Sequence, residues 1–188
     1  MAKVKLNPAL EAIHGHVGDF VFKRFAGAEY VGKMPDRTGI VPSEDQLAQM
    51  DKFRLAALYG KAVLADPVAQ AVYADAAARK GIPVFALTVG DFLNAPAVDE
   101  IDLADYTGKI GDVIGIRASD DVEIKGVTVA IREQGGDILE QGVAVWTPAS
   151  ATWKYTATTD LAQGQAVSIE VSATDRPGHK TSKVQQRA

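Results

Sequence analysis

Val167-Ser168-Ile169-Glu170-Val171-Ser172-Ala173-Thr174-Asp175-Arg176-Pro177-Gly178-His179 alternates apolar and polar residues and then meets a Pro-Gly turn signal. A period of two puts Val167, Ile169, Val171 and Ala173 on one face of a β-strand, so the stretch reads as a strand half buried against a second layer. The same alternation recurs upstream at Ile114, Ile116 and Ala118, at Val127, Val129 and Ile131, and at Trp153, Tyr155 and Ala157. Turn chemistry separates these runs at Gly135-Gly136, Pro148 to Ser150 and Gln163-Gly164.

About seven short strands over residues 97–188 is the count of an immunoglobulin-like sandwich. Moving towards the N-terminus, the pattern changes period. Ser43 with Gln46 three residues on forms a capping box, and Leu47, Met50, Phe53, Ala57, Leu58 and Leu64 recur at helical spacing, predicting an apolar helix face. Asp66-Pro67 reads as an N-cap followed by proline at the first helical position; Val68, Val72, Tyr73 and Ala76 form a face, and Gly81 with Pro83 ends the helix. A short third helix follows, with Phe85, Val89, Phe92 and Leu93 on one side and Asn94-Ala95-Pro96 as its stop. Residues 43–96 are therefore expected to form a small three-helix bundle.

Residues 1–42 have a third texture. Phe20-Val21-Phe22-Lys23-Arg24-Phe25, then Ala26-Gly27-Ala28, then Glu29-Tyr30-Val31 predicts a β-hairpin, and Met34-Pro35-Asp36-Arg37-Thr38-Gly39 breaks regular structure after it. The expected fold class is thus α+β in two domains: an N-terminal β-hairpin arm with a three-helix bundle, then an all-β immunoglobulin-like sandwich.

Composition narrows the chemistry. The 188 residues contain no cysteine, which closes thiolate nucleophiles, iron–sulfur clusters and thiolate zinc sites. Net charge is −4, and the acidity sits in the β half: nine Lys and Arg stand against fourteen Asp and Glu after residue 97. A surface that works by neutralising phosphates is not expected, so nucleic acid is disfavoured as a partner. No apolar run approaches the roughly 18 residues of a membrane span or signal-peptide length, so a cytoplasmic protein with no membrane partner is expected. GxSxG, Walker, Rossmann and HExxH patterns are absent, and no enzyme activity or cofactor is expected.

Ala118-Ser119-Asp120-Asp121, Ile124-Lys125-Gly126-Val127, Trp153-Lys154-Tyr155-Thr156-Ala157 and Val171 to His179 together resemble bacterial immunoglobulin-like modules, in which a hairpin of this type closes the sandwich. His179 stands where asparagine is commoner. The resemblance implies a fold and no chemistry, since such modules serve adhesion, enzyme-accessory and phage structural roles. In the front half, Lys5-Leu6-Asn7-Pro8 and His14-Gly15-His16-Val17-Gly18-Asp19-Phe20-Val21-Phe22, with the helices ending at Phe85 to Leu93, are similar to uncharacterised bacterial proteins, some prophage-associated. The helical stretch also has a likeness to the high-mobility-group box. Its five basic residues (Lys52, Arg54, Lys61, Arg79, Lys80) against six acidic ones run opposite to what an architectural DNA binder needs.

Several clusters offer a functional reading beside a plain one. His14 and His16, two residues apart on a strand, could bind a metal with Asp19 or Glu11; a glycine-flanked turn with solvated histidines is the expectation. Asp112, Asp120, Asp121 and Asp175 at strand ends could hold calcium, with solvated turn aspartates expected instead. Lys23, Arg24, Lys33 and Arg37 around Phe20, Phe22, Phe25 and Tyr30 could grip nucleic acid, but a half-buried or docking hairpin is expected. Trp153 and Tyr155 share a strand face and could stack a sugar or fill the core; Trp146 is the better candidate for an exposed contact.

A short apolar hairpin cannot bury itself alone and must pack on the helices or on another subunit. The expectation is a non-enzymatic structural or assembly protein, phage- or prophage-derived, self-associating into a homo-oligomer or joining another structural protein. Its interface residues would be Phe20, Phe22, Phe25, Tyr30 and Trp146, and its setting the cytoplasm or a virion. The alternative is a binding module whose immunoglobulin-like domain holds a glycan, calcium or a protein ligand.

Overall fold

The computed structural model describes residues 2–4, 15–25, 28–36, 38–39, 41–162 and 164–187. The chain is mixed α+β and mostly β, and it divides into two compact units, Met1–Glu44 and Asp45–Ala188.

The first unit is a four-stranded antiparallel sheet of β1 (Ala2–Val4), β2 (Gly15–Val17), β3 (Phe20–Phe25) and β4 (Ala28–Lys33), in the order β1-β4-β3-β2. The sequence predicts only the central β3–β4 hairpin. The two flanking strands are three residues long, too short for an alternation to be legible. Gly18, at φ 56°, makes the β2–β3 turn. None of this unit's described side chains is buried.

The second unit begins with three helices, α1 (Glu44–Ala65), α2 (Pro67–Lys80) and α3 (Val84–Leu93). The Asp66 side chain accepts the Val68 N–H at 2.9 Å to cap α2, and Gly81, left-handed at φ 67°, ends it. In α1 the structure corrects the expected face: Leu47, Met50, Phe53 and Leu58 are exposed, and the buried stripe is Ala56, Gly60 and Val63. Small residues form the seam because α3 comes too close for large ones. A Cβ on Gly60 would stand 2.6 Å from Thr88 Oγ1 and 2.9 Å from Phe85 Cε2. The described residues of the first three turns of α1, up to Leu55, are all exposed.

Eight strands follow: β5 (Ala97–Asp102), β6 (Val113–Ser119), β7 (Ile124–Glu133), β8 (Ile138–Val143), β9 (Val145–Thr147), β10 (Thr152–Thr156), β11 (Val167–Asp175) and β12 (Lys180–Arg187). They form two antiparallel sheets, β5-β6-β10-β9 and β12-β11-β7-β8. One apolar core lies between them, and the alternating residues read from the sequence build it: Ile114 and Ile116 from β6, Val127, Val129 and Ile131 from β7, Tyr155 from β10, and Val167, Ile169, Val171 and Ala173 from β11 are all buried.

The helices are not a free-standing bundle. Lys80 Nζ and Asn94 Nδ2 each donate to Asp121 at 2.7 Å, Val122 packs into the helical core beside Tyr73 and Ala76, and the Phe92 and His179 rings meet edge to face at 5.4 Å. The loop after β6 and the β11–β12 hairpin therefore tie the helices to one pole of the sandwich within a single unit.

Candidate functional site

Trp146 on β9 and Trp153 on β10 stand directly opposite each other in the antiparallel register, which brings their ring centroids to 5.5 Å with planes at 58°. Trp153 packs its inner side on the sandwich core, whereas Trp146, on a three-residue edge strand, is 45% exposed. Facing them is the end of β6 and the loop into β7. Together these elements enclose a cleft of about 530 Å³ lined by the two indoles, the aliphatic Val122 and Ile124, and the acidic Asp120 and Glu123, with Ala118 and Ser119 completing it. That volume is in the range of small-molecule sites. No lysine or arginine is among the lining residues.

The carboxylates are held from behind. Glu123 Oε1 accepts Arg176 Nε at 2.7 Å and lies 3.4 Å from Lys125 Nζ. Asp120 Oδ2 accepts the Val122 and Glu123 backbone N–H groups, both at 3.2 Å, while its Oδ1 is buried and meets no hydrogen-bond donor among the described residues.

Behind Asp120 lies a buried polar chain that joins all three helices. Tyr73 donates a short hydrogen bond to Asp91 Oδ2, so Tyr59, 2.8 Å from the Tyr73 hydroxyl oxygen, is the donor to Tyr73. Asp91 is fully buried, and among the described residues its Oδ1 meets no hydrogen-bond donor. Burial pushes the Asp91 carboxyl up to about 7; the Tyr73 hydrogen bond pulls the other way, and the neighbouring Asp120 and Asp175 add to the rise. Burial and the hydrogen bond to Asp91 likewise raise the Tyr73 hydroxyl, which stays protonated. The Arg176 guanidinium lies over the Tyr73 ring at 6.0 Å.

A second buried carboxylate, Glu140, accepts from Tyr155 Oη (2.6 Å), from Thr158 N (2.6 Å) and Oγ1 (2.9 Å), and from Thr159 N (3.2 Å). Burial alone would raise it, but these donors outweigh that cost and hold it below the usual carboxylate value. Tyr155 is thus a core residue, apart from the Trp pair that the strand spacing associates with it.

The other sequence candidates are scattered. Asp112 and Asp120 flank the seven-residue β6 and so lie at its opposite ends, roughly 26 Å apart. Asp112 Oδ2 accepts from Lys109 N, Thr107 N and Thr107 Oγ1, which lowers its pKa. Asp121 is lowered by Lys80 and Asn94. Asp175 is spent on its own hairpin, accepting the Gly178 and His179 N–H groups at 2.7 and 2.6 Å and meeting His179 Nδ1 at 3.0 Å. Among the described residues no group of three or more acidic or histidine side chains is arranged to hold a metal, and no helix is long and apolar enough to cross a membrane. His16 is exposed; Glu11, His14 and Arg37 lie outside the described residues. In the N-terminal sheet the register places Phe20, Phe22, Val17 and Val31 on one face, and Tyr30 with Val21 and Lys23 on the other. Phe25 pairs with Ala28 at the hairpin end.

Sequence reading missed Tyr59, Asp91 and Glu140. The signal for Asp91 was its place inside Val84-Phe85-Ala86-Leu87-Thr88-Val89-Gly90-Asp91-Phe92-Leu93, an acid within an apolar helix.

No family model matches the chain, and no curated protein matches it. Among solved structures it is similar to CopC from Methylosinus trichosporium OB3b, with 11% identity, 48% of this chain and 89% of that one covered, and a TM-score of 0.36. A likeness at that level carries no argument about function.

Proposed function

We propose that this chain is a non-enzymatic structural protein that self-associates through its N-terminal sheet and carries an immunoglobulin-like module. One observation supports the association: a four-stranded sheet with no buried described side chain exposes Val17 and Phe20 beside the half-buried Phe22. Isolated sheets need an apolar face covered to persist in water, and a second copy of the same face is the occupant proposed. The front-half resemblance to prophage-associated proteins supports a phage-derived, virion or cytoplasmic setting.

Strand order supports the immunoglobulin-like reading. Numbering the eight sandwich strands from β5, one sheet runs first, second, sixth, fifth and the other eighth, seventh, third, fourth, the arrangement of such modules with one extra edge strand.

Light scattering across a hundredfold concentration range tests the association. Defined oligomers are expected, and Phe22→Asp is expected to disperse them while leaving the melting of the 45–188 unit unchanged. A strict monomer at every concentration, or a Phe22→Asp variant that keeps its assembly size, refutes the reading.

A further inference from the structure

We propose that the cleft between Trp146, Trp153 and the 118–124 segment binds an organic cation, an alkylammonium head on a short aliphatic stem. The site lies on the sandwich and does not depend on the N-terminal sheet.

Three observations converge. The two indole planes meet at 58°, which makes a corner of two electron-rich faces rather than the flat platform a sugar ring stacks on. Asp120 and Glu123 line the same cleft and no cationic side chain does, in the half of the chain where acidic residues outnumber basic ones fourteen to nine. Both cations that reach Glu123 contact Oε1, which fixes the carboxylate and leaves Oε2 without a hydrogen bond among the described residues. A positive head between the indoles and this carboxylate gains from both, and Val122 and Ile124 offer apolar surface for its stem. A neutral ligand of the same shape would gain only the apolar contact.

The chain's two tryptophans both line this cleft, so tryptophan fluorescence, excited selectively over the tyrosines, reports the site. The probes are choline, its neutral isostere 3,3-dimethyl-1-butanol, Nα-acetyl-lysine methylamide and glucose, each titrated at ionic strength matched with sodium chloride. A saturable change with choline is expected, with the isostere at least about tenfold weaker. A comparable response to the acetyl-lysine amide would identify a peptide side chain as the source of the cation; a response to choline alone would identify a small quaternary ammonium. Trp146→Ala, read through Trp153, is expected to weaken choline about tenfold, and Glu123→Gln about threefold, so the test survives if either variant misfolds. Equal binding of choline and the isostere, saturation by glucose alone, or no response to either cation overturns the proposal.

Discussion

Asp91 is a buried carboxyl with one oxygen on a tyrosine hydroxyl and a second carboxyl, Asp120, beside it, and its burial sets a pH dependence whose sign follows directly. Its folded pKa, up to about 7, lies above the ordinary aspartate value of 3.8, so between those limits the native protein keeps a proton that the unfolded chain has released. Stability therefore falls as pH rises through that window and levels off above it. The groups facing Asp91 are Tyr73, with Tyr59 behind it, and Asp120 and Asp175, with Arg176 nearby on the Tyr73 ring. Urea midpoints from pH 5 to 8 should decline for the wild type and stay flatter for Asp91→Asn; parallel profiles would show Asp91 already ionised when folded. Glu140 works in the opposite sense, since its depressed pKa contributes stability that is lost as pH falls through the folded value. Replacing it by Gln puts an amide donor among four donors and should cost about 1–3 kcal/mol in urea unfolding at pH 7. Gly142 meets the same network: a Cβ there would lie 2.7 Å from Tyr155 Cε2, so Gly142→Ala should cost about 1–3 kcal/mol by moving the ring off Glu140.

At the scale of elements, α1 shows why a helical repeat can be right about the helix and wrong about its face. Apolar side chains at positions 47, 50, 53 and 58 satisfy the period, but the face that packs is chosen by how near α3 can come, and Gly60 permits the closest approach. Gly60→Ala, which raises helix propensity in isolation, should nonetheless destabilise the unit by about 1–3 kcal/mol through collision with Thr88 and Phe85. Leu47→Ala and Met50→Ala should each change thermal unfolding by less than about 0.5 kcal/mol at concentrations where the protein is dispersed. A larger loss would mean that this half of α1 is covered.

For the 45–188 unit as a whole, the Lys80–Asp121 and Asn94–Asp121 contacts and the Phe92–His179 and Val122 packing predict one cooperative transition. Far-ultraviolet circular dichroism at about 222 nm follows the helices, and tryptophan fluorescence follows the sandwich, because both indoles are there. The two melting curves should coincide in the wild type. Separate midpoints would show that the helices and the sandwich unfold as independent parts.

Four of the sandwich strands were legible because a period of two, bounded by glycine and proline turns, is a local property, and the inward residues of β6, β7, β10 and β11 could be named before their partners were known, whereas the buried Ala144 and Leu161 lie outside any such run. The caps of α2 were legible for the same reason, since Asp66, Pro67 and Gly81 act within one turn of themselves. By itself, then, the sequence determined the inward faces of β6, β7, β10 and β11, the helix limits and the acidity of the β half. Tertiary structure alone decided what depends on residues distant in the chain: that α1 packs through Gly60, that Asp91 is buried beside Asp120, that Glu140 is bonded by Tyr155 and Thr158, and that Trp146 and Trp153 close a cleft against the 118–124 segment. Those contacts require strand register and close backbone approach, and neither is encoded in the period of any single segment.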